Sequence, residues 1–459
     1  MYRLYYSLPV SLQHIACSIE GYRLRKRRFN KQFRDILQDV EERYKLYQIN
    51  MAVFRDKRLK EFVRHAAETV PYYKQYFQEQ SIDPKNICSI EDLKILPVIE
   101  KSDIQNNEEN FISNAITNKH YHISRTSGTT GAGLKVFISD AASREAWAVI
   151  TRFRKWHGLH YETWSAHFGG REVIHSSQNK PPFWRYNIPG RQILFSGYHL
   201  SEKTIPFYVE ELIKRKIRWI HGYPSLISLI AQYAIDNNIN MEDSVRWVTV
   251  GSENLLPMQI KNIKEAFGVS PIQQYGLTEL VAHFSQCETG NLHVDEDFAA
   301  VEFLPTSDEG VYKIIGTNFN NMAMPLLRYD TKDTAILHDY CSCGRPGRVV
   351  RKIDGREEDY ITLNDGTRHG RTASIFKYMS NIKEAQIYQK KPGYLTVRIV
   401  PSDKYTMEDE RYLEKKLNER FNGKLQYDFT YMKNLERTDN GKLRFVISEV
   451  VNGKIHKAE

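Results

Sequence analysis

The chain has 459 residues and a formal net charge of +9, with 41% hydrophobic and 26% charged residues, which fits a soluble globular protein of two or three domains with ample core. No apolar run approaches the roughly 18 residues of a membrane span, and the opening Met1-Tyr2-Arg3-Leu4-Tyr5-Tyr6 lacks the pattern of a secretory leader, so a cytoplasmic location is expected. Five unevenly spaced cysteines exclude a disulfide framework, and Cys17 and Cys88 read as small packed apolar groups.

Residues 1–60 predict a helical N-terminal extension, with a charged helical run from Asp39 to Tyr47. Arg23, Arg25, Lys26, Arg27, Arg28, Lys31 and Arg34 cluster there; they read as a solvated helix face, with contact to acidic lipid or nucleic acid as the alternative.

Residues 61–354 predict a large α/β domain in which strand, loop and helix repeat. Thr126-Ser127-Gly128-Thr129-Thr130-Gly131-Ala132-Gly133-Leu134-Lys135 sets three glycines and four hydroxyls before a lysine. Such a loop suits an anion, best a polyphosphate, because glycine backbone can turn its N–H groups inward. It is not a Walker A loop, since Leu134 and Lys135 stand where lysine and Ser/Thr are required, and Val136 stands where a dinucleotide fingerprint needs glycine. Further on, Ile217 to Ile220 reads as a strand, and Ser225 as the cap of a helix with the stripe Leu226, Leu229, Ile230 and Tyr233. Val245 to Val250 and Pro271 to Tyr275 read as two more strands. They end in Gly251-Ser252-Glu253-Asn254 and Gly276-Leu277-Thr278-Glu279, at strand ends where α/β sheets bind ligands. Taken alone, Tyr275 reads equally as a core aromatic, Arg328 with Asp333 as a structural ion pair, and Glu279 as a helix cap.

Residues 355–459 predict a small α+β domain. Gln386 to Gln389 and Leu395 to Val400 flank the hairpin signal Lys391-Pro392-Gly393; Leu413, Leu417 and Phe421 line a helix; Gln426 to Tyr431 is a further strand.

Five stretches in this order carry a resemblance: the 126–135 loop, Gln274 to Glu279, Leu327-Arg328-Tyr329-Asp330-Thr331-Lys332-Asp333, Gly355-Arg356-Glu357-Glu358-Asp359, and Arg437-Thr438-Asp439-Asn440-Gly441-Lys442. Together they resemble the adenylate-forming enzymes. Val70-Pro71-Tyr72-Tyr73 after Arg64-His65-Ala66-Ala67, and Cys341-Ser342-Cys343-Gly344-Arg345, are similar to the phenylacetate–CoA ligase group, especially its CapK-like branch. The resemblance implies a large multi-sheet α/β domain with a small mobile C-terminal domain turning about Glu358. It implies that a carboxylate attacks the α-phosphate of ATP, and that CoA or another acceptor then takes the acyl group.

The roles it implies are specific. Thr126, Ser127, Gly128, Thr129, Thr130, Gly131 and Lys135 would hold the outer phosphates, Thr278 the α-phosphate, and Glu279 the Mg²⁺. Tyr275 and Gly276, with Ser252 and Glu253, would line the adenine side; Asp333 would accept from the ribose hydroxyls; Arg356 would reach the ribose. Lys442 would offset the charge built at phosphorus. Proline and lysine follow this loop in many adenylate-forming enzymes; here Gly133 and Leu134 do, with Lys135 next.

Cys287, His293, Cys341 and Cys343 form a soft ligand set matching a closed tetrahedral zinc site, with reduced, packed cysteines as the alternative. Some members of the phenylacetate–CoA ligase-like group carry zinc at the equivalent cysteines, and dimers are common among related ligases. The partners expected are thus a small carboxylic acid and CoA, or a carrier or sugar in surface-polysaccharide assembly, with at most peripheral membrane contact. The competing readings are a basic nucleic-acid or membrane-surface binding protein stapled by zinc, and a non-catalytic scaffold. The chain lacks a recognisable nucleic-acid module.

Overall fold

The computed structural model describes residues 2–46, 48–116, 120–126, 134–175, 177–356, 361–365, 368–369, 375–376, 381–421, 423–438, 443–451 and 454–455. The chain folds as two compact units: Met1–Tyr22 with Glu162–Gln273 and Gly355–Glu459, and Arg23–Tyr161 with Gln274–Asp354.

The first unit is built on a parallel sheet. Ser165–Gly169 lies between Gln192–Ser196 and Trp219–Gly222, and Trp247–Val250 follows on the far side of Trp219–Gly222, all parallel. Trp184–Asn187 closes the other edge antiparallel. Strands such as Gln192-Ile193-Leu194-Phe195-Ser196 are near-continuous apolar runs, as a sheet covered on both faces requires. Helices Ile205–Lys214, Pro224–Asp236 and Pro257–Phe267 supply the rest of that core. Gly222 ends its strand so close to the Phe168 carbonyl that a Cβ would lie 1.8 Å from its oxygen, and this lets the Tyr223 N–H reach the same oxygen at 2.8 Å.

The small C-terminal domain belongs to this unit. Its hairpin Ile382–Lys391 and Tyr394–Pro401 turns at the expected glycine, Gly393, at φ +71°. Gln426–Tyr431 and Val446–Ser448 add parallel strands on either side. Leu413, Leu417 and Phe421 of helix Met407–Phe421 pack on the sheet with Ile387, Leu395 and Val397. Met258 of helix Pro257–Phe267 joins that cluster.

The second unit differs from the strand–loop–helix repeat predicted for all of 61–354. Its sheet runs, in spatial order, Ala300–Pro305, Val311–Thr317, Tyr329–His338, Val349–Arg356, Leu292–Val294, His283–Gln286 and the end of Ile272–Gly276. Every neighbour pair with an assigned register is antiparallel. Short turns replace crossover helices here, for example at Gly310 with φ +72°. Helices Lys31–Arg43, Gln48–Thr69, Pro71–Glu79 and Asp140–Trp156 complete the unit. Asn30 and Ser139 cap two of them, and Pro71 starts a third where its missing N–H costs nothing.

Three expectations are corrected. Ser225 does not cap its helix: Tyr223 occupies the cap position, Pro224 opens the first turn, and the Ser225 N–H is taken by the Glu253 carboxylate at 3.2 Å. Arg328 does not pair with Asp333; it makes a two-pronged bond to Glu302, 2.9 Å on each arm, and donates to the Leu96 carbonyl. Glu279 caps no helix, because the chain continues into strand His283–Gln286. Among the described residues, no helix is long and apolar enough to cross a membrane.

Candidate functional site

In the second unit the hydroxyl–glycine loop joins the antiparallel strands Tyr121–Arg125 and Lys135–Ser139. Thr126 stitches its base: its N–H donates to the Leu134 carbonyl at 2.9 Å, and its Oγ1 accepts from the Leu134 N–H at 3.0 Å. The strand Lys135–Ser139, not a helix, follows the loop, so no helix dipole points into it. Ser127, Gly128, Thr129, Thr130 and Gly131 lie outside the described residues. Lys135 extends to Glu108, Nζ to Oε2 at 2.7 Å.

Tyr275 and Asp333 are brought together across 58 positions: the phenol donates to Asp333 Oδ2 at 2.8 Å. Burial, and next the Asp333 charge, hold the Tyr275 hydroxyl well above its ordinary pKa, so it remains a donor at neutral pH. Its ring packs 4.8 Å from Phe284, so the core-aromatic reading also describes one face of it. Gly276 is exposed and Thr278 half-buried in the turn that follows. Glu279 is buried, its carboxylate accepting from the Tyr329 hydroxyl at 3.1 Å. Leu280 closes the segment at φ +60°, a strained conformation for a branched side chain.

In the first unit, the loop after Trp247–Val250 carries Ser252 at φ +69°, exposed, and Glu253, half-buried. Glu253 Oε1 accepts from the Leu443 N–H at 2.8 Å, while Oε2 accepts from Ser225. Arg437 donates to Ser225 Oγ at 2.8 Å and pairs with Glu384. Burial raises Glu253 above the ordinary carboxylate pKa, and Arg437 and the two N–H groups only partly offset it. Burial raises Glu384 likewise, with the Glu253 charge adding to the rise. Lys442 lies outside the described residues, as does Glu358, and the Arg356 side chain is not described.

The four soft ligands converge. Cys287 sits in a tight turn before strand Leu292–Val294, which carries His293, and Cys341 and Cys343 lie in the turn ahead of Val349–Arg356. Their ligand atoms all lie within 4.8 Å of one another. The Sγ atoms of Cys287 and Cys341 are 3.6 Å apart, those of Cys341 and Cys343 3.4 Å, and Cys343 Sγ is 3.3 Å from His293 Nε2. A tetrahedron of metal–sulfur bonds of about 2.3 Å has edges of about 3.8 Å, so a zinc-sized ion fits with small adjustment. His293 Nδ1 faces the Pro346 carbonyl at 3.2 Å. A carbonyl only accepts, so Nδ1 carries the proton and the Nε2 lone pair points at the cysteines. Burial opposes ionisation of Cys341, but hydrogen bonds led by Thr289 bring it down to about 5. Burial and the neighbouring thiols push Cys343 up to about 12. Crowded thiols release one proton easily and resist the next; a dication at the centre removes that conflict. With three sulfurs and one nitrogen, a bound ion would keep no open position, and its contribution would be structural.

Sequence reasoning missed the Glu253 junction and Glu384, because their partners come from other elements: Leu443 lies 190 positions from Glu253, and Arg437 lies 53 from Glu384. The isolated Gly251-Ser252-Glu253-Asn254 after a strand was the available signal.

Comparison with known proteins fits this geometry. The CapK C-terminal domain family matches residues 365–449. Protein CapK of Staphylococcus aureus is 24% identical, covering 97% of this chain and 99% of that protein. The phenylacetate-coenzyme A ligase of Thermus thermophilus is 24% identical over 68% of this chain and 72% of its own. Among solved structures, 2-hydroxyisobutyryl-CoA ligase in complex with R3-HIB-AMP superposes with a TM-score of 0.69 at 17% identity. That match covers 88% of this chain and 91% of that one.

Proposed function

We propose that this chain, which belongs to the adenylate-forming enzymes and within them to the CapK-like branch of the phenylacetate–CoA ligase-like group, is an AMP-forming carboxylate ligase. A carboxylate oxygen attacks the α-phosphorus of ATP, the bond to pyrophosphate breaks, and an acyl-adenylate remains. A nucleophile then attacks the acyl carbon and AMP leaves with the bonding electrons. CoA is the acceptor that the ligase relatives favour; a carrier or sugar in surface-polysaccharide assembly rests on the likeness to CapK alone.

One observation carries the reading furthest. The Leu443 amide, next in sequence to Lys442, is hydrogen-bonded to Glu253 in the loop beyond a parallel strand. Loops beyond parallel strands are where α/β sheets bind ligands, and this contact of the residue after Lys442 supports assigning Lys442 to that site. Lys442 is the group we assign to the adenylation step, its ammonium offsetting repulsion as two anions approach. We assign the outer phosphates to Thr126, Ser127, Gly128, Thr129, Thr130, Gly131 and Lys135, which must exchange Glu108 for phosphate oxygen. Thr278 meets the α-phosphate. Tyr275 and Gly276, with Ser252 and Glu253, receive the adenine, and Asp333 and Arg356 the ribose. Glu279 would hold Mg²⁺, which neutralises the phosphates when bound. Between half-reactions, residues 355–459 rotate about Glu358.

The test is pyrophosphate release over a panel of aryl, fatty, hydroxy and amino acids, followed by addition of CoA or a sugar acceptor. At least one acid should drive ATP-dependent release; silence across the panel contradicts the assignment. Zinc at Cys287, His293, Cys341 and Cys343 is tested separately by metal analysis. About one equivalent is expected, and Cys341→Ser should lower it to under about a tenth; a wild-type protein without zinc rejects that part.

A further inference from the structure

Helix Val10–Arg28 is amphipathic the wrong way round. Its inner face is small and polar, and it serves the edge strand Trp184–Asn187. The Tyr186 N–H donates to His14 Nδ1 at 3.1 Å, Ser18 Oγ donates to the Tyr186 carbonyl at 3.2 Å, and the Ile188 N–H donates to Ser18 Oγ at 3.3 Å. Gln13 is buried and accepts from Arg185 at 2.7 Å. Gly21 lies where a Cβ would fall 1.7 Å from Asn187 Oδ1. These contacts cover an otherwise open sheet edge, and they fix which face of the helix turns outward.

That outward face is apolar. Leu12, Ile15, Ile19 and Tyr22 expose 44%, 54%, 52% and 58% of their surfaces, spaced by three and four residues along one stripe. Leu4 and Ile188, in the same unit, are 72% and 64% exposed. The stripe continues at the same spacing into Lys26, which is exposed with Arg23, while Arg25, Arg27 and Arg28 are half-buried and Arg28 lies over the Trp147 ring; the one acid in the helix is Glu20. Large aliphatic groups are held in water by a scaffold that would lose nothing if they were polar.

We propose that this stripe docks the protein on an anionic membrane surface, the aliphatic side chains entering the acyl boundary and the basic turns meeting lipid phosphates. Charge selects this occupant. A second copy packed in parallel would set this basic end against its own copy; packed antiparallel, it would set it against residues 2–19, which contain no Asp or Glu. A nucleic-acid backbone would satisfy the cations and leave Leu12, Ile15 and Ile19 in water.

The test uses the full chain and phosphatidylcholine vesicles with or without about 30% phosphatidylglycerol. Co-sedimentation should be at least about tenfold stronger on the anionic vesicles. Ile15→Asp with Ile19→Asp should weaken it by about tenfold or more without lowering the unfolding temperature, because both side chains are exposed. Ile15→Trp should shift its emission to the blue on anionic vesicles, independently of the aspartate variant's behaviour. Three results overturn the proposal: no wild-type binding to anionic vesicles; binding by the aspartate variant equal to wild type, which leaves only loose charge attraction; or a wild-type dimer in light scattering that the aspartates dissociate.

Discussion

Each unit buries a cluster of arginines and carboxylates, and the two clusters titrate in opposite directions. In the unit containing helix Asp140–Trp156, Arg152 meets Asp295 and Asp297 at 2.7 and 2.8 Å, Arg43 and Arg58 share Glu145, and Arg55 and Arg348 share Glu296. Burial works against ionising Glu145, Glu296 and Asp297, yet their arginines outweigh it and hold all three below the ordinary carboxylate range. In the other unit a single guanidinium, Arg437, serves both Glu384 and Glu253; burial wins, and both carboxyls sit above the ordinary range. A cluster with matched charge is architecture. A cluster with two carboxyls for one guanidinium leaves burial uncompensated, and its carboxyls hold their protons.

The largest expected effect lies in the matched cluster. Arg152→Met removes the partner of two fully buried aspartates and should cost about 3–5 kcal/mol in denaturant unfolding; a loss under about 1 kcal/mol would show that neither aspartate depends on it. Next comes Tyr275→Phe, which takes one donor from Asp333. It should weaken ATP binding by about tenfold, the worth of one hydrogen bond to a charged group, with little change in unfolding temperature. Unchanged KM for ATP would remove Tyr275 and Asp333 from the nucleotide site.

The pH responses should then diverge. Glu145, Glu296 and Asp297 have folded pKa values below their unfolded ones, so their stabilisation is present above the ordinary carboxylate range and is lost as pH falls through the folded values. Glu253 and Glu384 are raised, so the folded junction retains protons that the unfolded chain releases. Its stability is greatest below the ordinary range and declines as pH rises through the folded values. Amide protection at Leu443 should therefore increase as pH falls toward the ordinary carboxylate range, and helix Asp140–Trp156 should lose protection only on stronger acidification. Parallel behaviour of both regions would remove the contrast. The smallest effect is Glu253→Gln: near neutral pH it should leave global stability within about 1 kcal/mol, since it removes a charge already disfavoured, and it should flatten the pH dependence at Leu443.

What could be read from the residues alone divides along the same line. The hairpin at Gly393 and the Leu413, Leu417 and Phe421 stripe are local patterns, and they appear where the spacing put them. The Cys/His cluster was legible by type, and only folding brings Cys287 and Cys341 to 3.6 Å. Arg152 and Arg43 look like ordinary helix-surface cations, and nothing local announces that Asp295, Glu296 and Asp297 are buried to receive them. The solvated-face reading covers only the cluster from Arg23 to Arg34; the exposed stripe of Leu12, Ile15 and Ile19 is not legible, because the polar side of that helix is used internally to close a sheet edge. Ser225 failed as a cap for the same reason: a distant carboxylate, Glu253, took that amide.

ATP–pyrophosphate exchange, measured with an accepted carboxylic acid on wild type and on Lys442→Ala, tests the central claim most directly. The wild type should exchange label only when the acid is present, and the variant should exchange at least about 100-fold more slowly, the loss of roughly 3–4 kcal/mol expected for one aimed charge in a dry site. Exchange at the wild-type rate in the variant, or none in the wild type with any acid tested, would contradict it.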